Sequence, residues 1–358
     1  MKKVCIIGLT DYEYYGEKLV LKAFSGDDHV YAYDEDVQYV INKRECQNKV
    51  KYLYDFKLVP LCDIYIVSVT SDKLNDIIDI LVRETSAPSG RTVVIESSVA
   101  VGKTKSICRK LINEGFHLCY SPRVHDETSF KIVSGFSEKG IEITKSVYDR
   151  WFKNVVVTKS VEVAEMTRTL IGLFRAANAA VINEFSIYCK SHGVDPFEVI
   201  DLASVVENKI YMPFTPWVGV GGDAGDDPFI ISTASNTPVI KAISNHLIQR
   251  PLKLVETLPN NIDKNGDILF VGIGHKFYSS SWQSSPIVDF IECLGKTNVF
   301  YFDPYCGSGF TGAKWVEFAD AVQKDWEAII VCSPYMLSAW ENHRCKNKVF
   351  FCQTKAFI

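Results

Sequence analysis

The sequence predicts an α/β fold built around doubly wound sheets, and three observations predict it. Short apolar runs, typical of buried strands, alternate with helical patterns in the first part of the chain. A single long helical pattern then fills the middle, and the alternation returns near the C-terminal end. Because βαβ alternation is typical of mostly parallel sheets, we expect three regions: an N-terminal α/β domain (1–158), a central helical region (159–262) and a smaller C-terminal α/β domain (263–358).

The N-terminal region supplies the elements of the larger sheet. The runs that predict strands are KKVCIIG, HVYAYDED, CDIYIVSVT, RTVVIESS, FHLCYSP and FKIVSGF. The stretches that predict helices between them are GEKLVLKAF, LNDIIDILVRE and KTKSICRKLINEG.

The central region begins with one helical pattern from about Val161 to His192, which Gly193 ends. Asp195 is placed to cap a second helix and Pro196 to begin it, and TPVIKAISNHLIQRPLKLVETL predicts a third. The polar turn NNIDKNGD predicts a linker. Beyond it, strands are predicted in DILFVGIG, NVFYFDP, EAIIVCSP and KVFFCQT, and a helix in SPIVDFIECLG.

Composition narrows the class of protein. The 358 residues are 47% hydrophobic with a net charge of -4, so no basic surface indicates nucleic acid or anionic lipid. The first apolar run is too short for a signal peptide, and we expect no segment of membrane-spanning length. The 11 cysteines are scattered and the 7 histidines dispersed. We therefore expect a cytoplasmic protein with reduced thiols, Cys189 and Cys306 among them, and no metal site.

The turn after the first strand resembles a dinucleotide-binding loop in part. Such a loop reads G-x-G-x-x-G, with an acid about 20 residues later. Gly8 is in place, Thr10 stands at the second glycine, and Gly16 lies too far along for the third. Asp34, at the end of the second predicted strand, is placed to bind a ribose hydroxyl.

Two acids oppose phosphate binding in that turn. Asp11 and Glu13 stand where a pyrophosphate would meet a helix N-terminus, and like charges repel. Two interpretations stay open: a damaged NAD site with weakened affinity, or a plain turn whose Asp34 only ends a strand. A second candidate, VGKT at 101–104, lacks the earlier glycine of a P-loop and is dismissed.

Four strings, in this order and spacing, carry a family resemblance: ESSVAVGKT, AEMTRTLIGLFRAANAAVINE, GVGGDAGDDP and SPIVDFIECLG. The chain resembles the nucleotide-sugar dehydrogenases that act on UDP-glucose, UDP-N-acetylmannosamine and GDP-mannose. The resemblance implies an N-terminal Rossmann domain for NAD, a central region that forms a homodimer through its long helix, and a C-terminal Rossmann-like domain for the UDP- or GDP-linked sugar. Such enzymes oxidise the C6 alcohol to a carboxylate through a cysteine thiohemiacetal, using two NAD.

The chemical residues of that family are replaced here. The family loop Gly-x-Gly-Gly-His-Cys aligns with Gly219, Gly221 and Gly222, but Asp223 stands at the histidine and Ala224 at the nucleophilic cysteine.

On the long helix, Arg168 replaces a lysine and Gly172 an asparagine, while Arg123 replaces the glutamate of a Ser-Pro-Glu-Arg motif. A thiolate, a lysine and a carboxylate are the groups that such chemistry uses. We therefore assign no catalytic residue.

The resemblance still implies two sets of binding residues. The cofactor-binding positions are Gly8, Thr10, Asp34, Ser71 and Ser98, and the substrate-binding positions are Gly219, Gly221, Gly222, Asn245 and Lys276. Trp217 and Trp282 flank the nucleotide cleft by analogy, where they stack on a base or fill space left by lost ligands.

Three functions follow as hypotheses. The first is a homologue that has lost dehydrogenase chemistry and persists as a nucleotide-sugar binder or an assembly and regulatory partner. The second is an active NAD-dependent oxidoreductase that removes two electrons without a cysteine. The third is a purely structural interaction module.

Overall fold

A computed structural model of the chain describes most of its sequence. The described residues are 2–25, 29–44, 50–107, 109–123, 130–206, 237–257, 262–263, 266–274, 282, 285–295, 298–332, 339–340, 343 and 349–351. They belong to two compact units, Met1–Ile171 and Gly172–Ile358, whose boundary falls inside one helix. The division into three domains stays a prediction.

The first unit contains an eight-stranded sheet in the order β3-β2-β1-β4-β5-β6-β7-β8. Its strands are β1 (Lys3–Ile7), β2 (His29–Tyr33), β3 (Val50–Leu53), β4 (Ile64–Val67), β5 (Thr92–Ile95), β6 (His117–Tyr120), β7 (Phe130–Gly135) and β8 (Asn154–Val157). All neighbours pair in parallel except β6 and β7, which are antiparallel. The predicted, mostly parallel sheet is confirmed.

Helices cover both faces of this sheet, as a doubly wound fold requires. They are α1 (Asp11–Ser25), α2 (Val37–Arg44), α3 (Leu74–Glu84), α4 (Lys103–Ile107), α5 (Arg109–Asn113) and α6 (Glu138–Trp151). Successive residues of β1 enter opposite cores: Cys5 and Ile7 belong to one apolar cluster, Val4 and Ile6 to the other. That alternation follows from the two-residue period of a strand.

The long helix α7 (Val161–Ser191) is confirmed over 31 residues. After Gly193, whose φ is +70°, Pro196 begins α8 (Pro196–Val206), and α9 (Pro238–Thr257) follows with Pro251 inside it. The expectation that no segment has membrane-spanning length is wrong for α7. Its residues Val161–Cys189 are long and apolar enough to cross a membrane, although core helices of soluble proteins meet the same criterion.

The second unit holds a five-stranded parallel sheet in the order β11-β10-β9-β12-β13. Its strands are β9 (Ile268–Val271), β10 (Val299–Phe302), β11 (Lys314–Trp315), β12 (Ala328–Val331) and β13 (Val349–Phe351). Helix α10 (Pro286–Leu294) begins at an N-cap serine, Ser285, and ends at Gly295 with φ 59°. Helix α11 (Phe318–Gln323) precedes β12.

Candidate functional site

The turn between β1 and α1 lies at the carboxyl edge of the larger sheet, where doubly wound folds bind ligands. Gly8 has φ +85°, and a Cβ there would lie 2.5 Å from the carbonyl oxygen of Ser68. Its amide donates to the carbonyl of Tyr33 at 3.0 Å. Only glycine fits this position, so the first glycine of the motif has its expected role.

The prediction that Gly16 lies too far along to serve as the third glycine is wrong. A Cβ at Gly16 would overlap the carbonyl oxygen of Gly8 and lie 2.9 Å from the Cα of Leu9. At Gly16, helix α1 therefore packs directly on the turn that follows β1. In the dinucleotide-binding motif, the third glycine allows the same close packing between helix and strand. The sequence spacing hid this because the contact is made one turn further along the helix.

Asp34 follows β2 and turns its carboxylate back toward this loop. The side chain is 6% exposed. Oδ2 accepts from the amides of Leu9 and Thr10 at 2.6 and 2.9 Å and from the Thr10 hydroxyl at 3.1 Å. Oδ1 accepts from the Asp36 amide at 2.9 Å. Asp34 is therefore more than a strand-end acid, because it fixes the loop that follows β1.

A small, open cleft lies beside Asp34. Its lining residues are Ile7, Gly8, Tyr33, Asp34, Glu35, Val69, Lys73 and Ile77. Burial, with the neighbouring acids as a smaller cause, raises the pKa of Tyr33 to about 12. The lining is partly apolar and carries two carboxylates, of Asp34 and Glu35, and the ammonium of Lys73. Such a mixture of apolar surface and a few polar groups suits a nucleoside with its hydroxyls.

Two serine hydroxyls at the same edge lack hydrogen-bond partners. Ser68 follows β4 and is 0% exposed, Ser98 follows β5 and is 5% exposed, and the Oγ atoms of both are unpartnered. Ser71, the other predicted cofactor residue, is exposed in the turn before α3. Buried hydroxyls are normally satisfied, so Ser68 and Ser98 are available to a water molecule or a polar ligand at this edge.

The VGKT turn, dismissed as a P-loop, holds a carboxylate of the chain itself. Glu165 of α7 is 1% exposed and accepts from the amides of Gly102 and Thr104 at 2.6 and 3.0 Å, and from the Thr104 hydroxyl at 2.5 Å. These donors form the N-terminus of α4, where a phosphate would otherwise bind. Glu165 therefore fills the anion position and ties α4 to α7.

A buried ion pair that the sequence patterns did not predict lies beside Pro122. Lys131 and Glu96 are both 0% exposed and lie 2.6 Å apart. Lys131 also donates to the Pro122 carbonyl at 3.3 Å, and the Tyr148 hydroxyl donates to the other oxygen of Glu96. The sequence signal for this pair is one charged residue in each of two largely apolar strand segments: Lys131 in FKIVSGF and Glu96 in VVIESS.

The ammonium group of Lys131 is fully buried and therefore strongly desolvated. Burial lowers the pKa of its ammonium, and the attraction of Glu96 acts in the opposite direction. We take the group as a charged pair, because the two side chains are in direct contact and Tyr148 supplies a further donor to the carboxylate.

The replaced family positions of this unit are buried as well. Arg123, which follows Ser121-Pro122, is 7% exposed, and Arg168 on α7 is 6% exposed. Gly172 is buried on the same helix. Two guanidinium groups therefore occupy interior positions where the family resemblance implies a glutamate and a lysine.

The second unit repeats the geometry of the first turn. Gly272 follows β9 with φ +82° and donates to the Phe302 carbonyl at 2.8 Å. Asp303, at the end of β10, accepts from the amides of Ile273 and Gly274 at 2.9 and 3.1 Å. Its other oxygen accepts from the amides of Tyr305 and Cys306 at 2.9 and 3.0 Å.

Other predicted residues of this unit have structural surroundings. Trp282 packs on Phe310 with ring centroids 5.2 Å apart, so it fills core space. Burial, followed by the charge of Asp303, raises the pKa of the Cys306 thiol, which makes it a poor nucleophile. Cys189 is buried, and Asn245 is exposed on α9. Asn183 of α7 is 6% exposed, and neither polar atom of its amide has a partner.

Several predicted residues lie outside the described residues. They are the whole glycine loop with Gly219, Gly221, Gly222, Asp223 and Ala224, together with Trp217 and Lys276. The side chains of Asp11 and Glu13 also lie outside them. Within the described ranges, no three His, Cys, Asp or Glu side chains come together as a metal site. The absence of a metal from the whole chain stays a prediction.

Comparison with known proteins shows which family and which relatives the chain is similar to. Residues 162–245 match the UDP-glucose/GDP-mannose dehydrogenase family, central domain. The UDP-N-acetyl-D-mannosamine dehydrogenase of Pyrococcus horikoshii is 30% identical over 261 residues, which are 65% of this chain and 62% of the relative. That of Methanocaldococcus jannaschii is 26% identical over 55% of this chain and 49% of the relative. The chain thus aligns with about half to three-fifths of the length of these curated relatives.

Solved structures share the fold. The UDP-D-ManNAc dehydrogenase of Pyrococcus horikoshii superposes with a TM-score of 0.78 at 19% identity, over 98% of this chain and 95% of that one. A UDP-glucose dehydrogenase from Pyrobaculum islandicum gives a TM-score of 0.79 at 16% identity, over 99% and 94%. At such identities the likeness establishes the architecture alone.

Proposed function

Since the chain is a homologue of the nucleotide-sugar dehydrogenases and contains the central domain of the UDP-glucose/GDP-mannose dehydrogenase family, we propose that it binds a nucleotide sugar without the cysteine-dependent four-electron oxidation. It acts as a nucleotide-sugar binder or as an assembly and regulatory partner. The relatives named above are UDP-N-acetyl-D-mannosamine dehydrogenases, which favours a UDP-linked N-acetylhexosamine.

The exchange of chemical groups carries this proposal. Arg123 and Arg168 are buried where the family resemblance implies a general base and a lysine, and Ala224 replaces the nucleophile in the sequence. A guanidinium is always charged and cannot take up a proton at neutral pH. Losing several groups that act together removes most transition-state stabilisation, on the order of several kcal/mol per group.

The cofactor edge fits NAD in part. Gly8 lets a ligand approach the backbone, and the Ser68 and Ser98 hydroxyls would donate to it. Asp34 would hold the adenosine ribose. The cofactor itself would accept hydride from the alcohol carbon. Thr10 is the misfit, because the second glycine of such a loop admits the pyrophosphate. We propose weakened NAD binding.

We further propose a homodimer through α7. Apolar side chains on one face of this helix are exposed at spacings of three, four and seven residues: Val163, Met166, Leu170, Phe174, Val181, Phe185 and Tyr188. Phe174 is 63% and Val181 65% exposed. A contiguous apolar stripe of this kind supports an interaction surface. The scattered free thiols support a cytoplasmic location.

The dimer has its own test. We expect Phe174→Glu together with Val181→Glu to convert the protein to a monomer in sedimentation equilibrium. Glu162→Gln, an exposed change on the same helix, is the control and should leave the mass unchanged. A wild-type monomer at micromolar concentration would refute the dimer.

The binding proposal is tested by thermal shift with UDP-N-acetylmannosamine, UDP-glucose, GDP-mannose and NAD. We expect a UDP-sugar to raise the unfolding temperature by mass action, without NADH formation. NADH formation from any of these sugars at ordinary rates would contradict the proposal. Absence of any sugar response would favour a structural interaction module.

A second candidate is a two-electron oxidation that needs no cysteine. The unpartnered hydroxyls of Ser68 and Ser98 at the cofactor edge favour it. It predicts one NADH for each sugar, an aldehyde product that an amine probe traps, and NAD binding below millimolar concentration. If calorimetry detects no NAD binding at millimolar concentration, this candidate fails.

A further inference from the structure

Among the described residues, Thr10 provides the one side-chain donor to Asp34. Each carboxylate oxygen has about two lone-pair positions. Within the part of the chain that the structure describes, Asp34 receives four donors, three on Oδ2 and one on Oδ1. Three are backbone amides, of Leu9, Thr10 and Asp36. The fourth is the Thr10 hydroxyl at 3.1 Å.

The second unit shows how the same turn is built without that hydroxyl. Asp303 receives four backbone amides, and the Cys306 thiol makes a side-chain hydrogen bond to it. Gly274 stands at the position equivalent to Thr10 and has no side chain. The amide contacts therefore belong to the turn itself, whereas the hydroxyl contact is an addition of the first unit.

A backbone amide of a packed turn stays where the fold places it, but a hydroxyl can rotate away from its acceptor. The bond to Thr10 is thus the only one of the four that a ligand can replace without unfolding the turn. A ribose 2′-hydroxyl is the group that a strand-end acid binds in such a site.

We propose that the Thr10 hydroxyl is an internal substitute for the ribose 2′-hydroxyl of a dinucleotide, and that it lowers affinity by competing for Oδ2 of Asp34. The inference rests on the cofactor site of the proposed function. Thr10 can thus lower ligand affinity in two ways, through its hydroxyl and through the size of its side chain. The hydroxyl penalises only ligands that carry the 2′-hydroxyl, whereas the bulk penalises every ligand with a pyrophosphate.

The experiment measures ADP, 2′-deoxy-ADP and NAD by calorimetry on wild type, Thr10→Val, Thr10→Ser and Thr10→Gly. Valine keeps the shape and removes the hydroxyl; serine keeps the hydroxyl. We expect Thr10→Val to bind ADP and NAD about tenfold more tightly than wild type, since a hydrogen bond to a charged group is regained by the ligand. Thr10→Val should prefer ADP over 2′-deoxy-ADP about tenfold, and wild type and Thr10→Ser only slightly.

Equal affinities of wild type and Thr10→Val, with a gain only in Thr10→Gly, would overturn the substitution and leave bulk as the cause. If neither ADP nor NAD binds any variant at millimolar concentration, both the role of the Thr10 hydroxyl and the proposed cofactor site are overturned. UDP-sugar binding, followed on the same variants, should be unchanged by Thr10, and its absence would instead refute the proposed function. Thr10→Ser guards against misfolding, because it should retain both the unfolding temperature and the wild-type affinities.

Discussion

Asp34 and Asp303 hold equivalent turns in two separate sheets. Each carboxylate follows the second strand of its sheet and receives two successive amides of the turn after the first strand, at 2.6 and 2.9 Å for Asp34 and at 2.9 and 3.1 Å for Asp303. Each turn begins with a glycine of positive φ, Gly8 or Gly272. In both units, the carboxylate after the second strand therefore holds the turn after the first strand through hydrogen bonds to its amides.

Gly16→Ala should destabilise the first unit severely. A Cβ there overlaps the backbone carbonyl of Gly8, which cannot move without shifting α1 from the sheet. We expect a loss of about 3 kcal/mol or more in urea unfolding, within the range for overpacking a core. Gly90→Ala is the control, since φ is +78° and its Cβ meets open space, so it should cost only about 1–2 kcal/mol of backbone strain. Equal losses would contradict this packing role.

Glu165→Ala should destabilise the protein by about 2–4 kcal/mol, because it leaves the Gly102 and Thr104 amides without their buried carboxylate. Hydrogen exchange should speed up at these two amides first. Glu162→Gln on the same helix is the matched control: Glu162 is an exposed acid of the first turn, so its loss should cost less than about 1 kcal/mol and leave exchange at Gly102 and Thr104 unchanged. Unchanged exchange at Gly102 in Glu165→Ala would show that the cap does not bear on stability.

The Lys131–Glu96 pair calls for a double-mutant cycle. We expect Glu96→Gln and Lys131→Met each to cost about 3–5 kcal/mol, because each leaves one buried charge without its partner. The double variant should be less destabilised than the sum of the two losses. Additive losses in guanidinium unfolding would mean that the two charges do not interact. Lys145→Met and Asp149→Asn, an exposed pair on α6, supply the control cycle and should couple by less than about 0.5 kcal/mol.

Asp289 on α10 should make stability depend on acid pH. Asp289 is solvent-exposed, but partial desolvation by its neighbours, with the charge of Glu292 as a second cause, raises the pKa of its carboxyl above the ordinary value. The folded state therefore binds the proton more tightly than the unfolded state. Its favourable contribution is complete below the unfolded pKa of about 3.9 and is lost as the pH rises through the folded pKa.

Asp289→Asn should accordingly raise the unfolding temperature at pH 7 and have little effect at pH 3. Asp320→Asn, an exposed acid of the same unit, is the control. A shift of the same size at both pH values would show that packing, not ionisation, explains the result.

Sequence patterns predicted most of the architecture because strands and helices are specified locally. The long helix from Val161, the helix begun by Pro196, and the strands that end at Gly8 and Asp34 all follow from apolar periodicity and capping residues. The pairing of Asp34 with the turn at Gly8 also follows from the sequence in part, since a glycine after the first strand and an acid after the second lie at the same edge of a parallel sheet.

The remaining features depend on contacts between distant parts of the chain. Glu165 lies 63 residues from Gly102, and Lys131 lies 35 from Glu96. No local pattern reports which buried carboxylate meets which amide or ammonium. Gly16 escaped prediction for a related reason: its partner is a backbone carbonyl, which no sequence motif names.

The four donors on Asp34 also have a meaning for the protein in the cell. The chain itself supplies hydrogen bonds to this carboxylate when no dinucleotide is bound. Many enzymes lose steady-state abundance when their coenzyme pool is depleted, because the unliganded form is degraded faster. In the first unit, the hydrogen bonds of the turn at Asp34 are present without a dinucleotide, so we expect this turn to stay folded when the coenzyme is scarce.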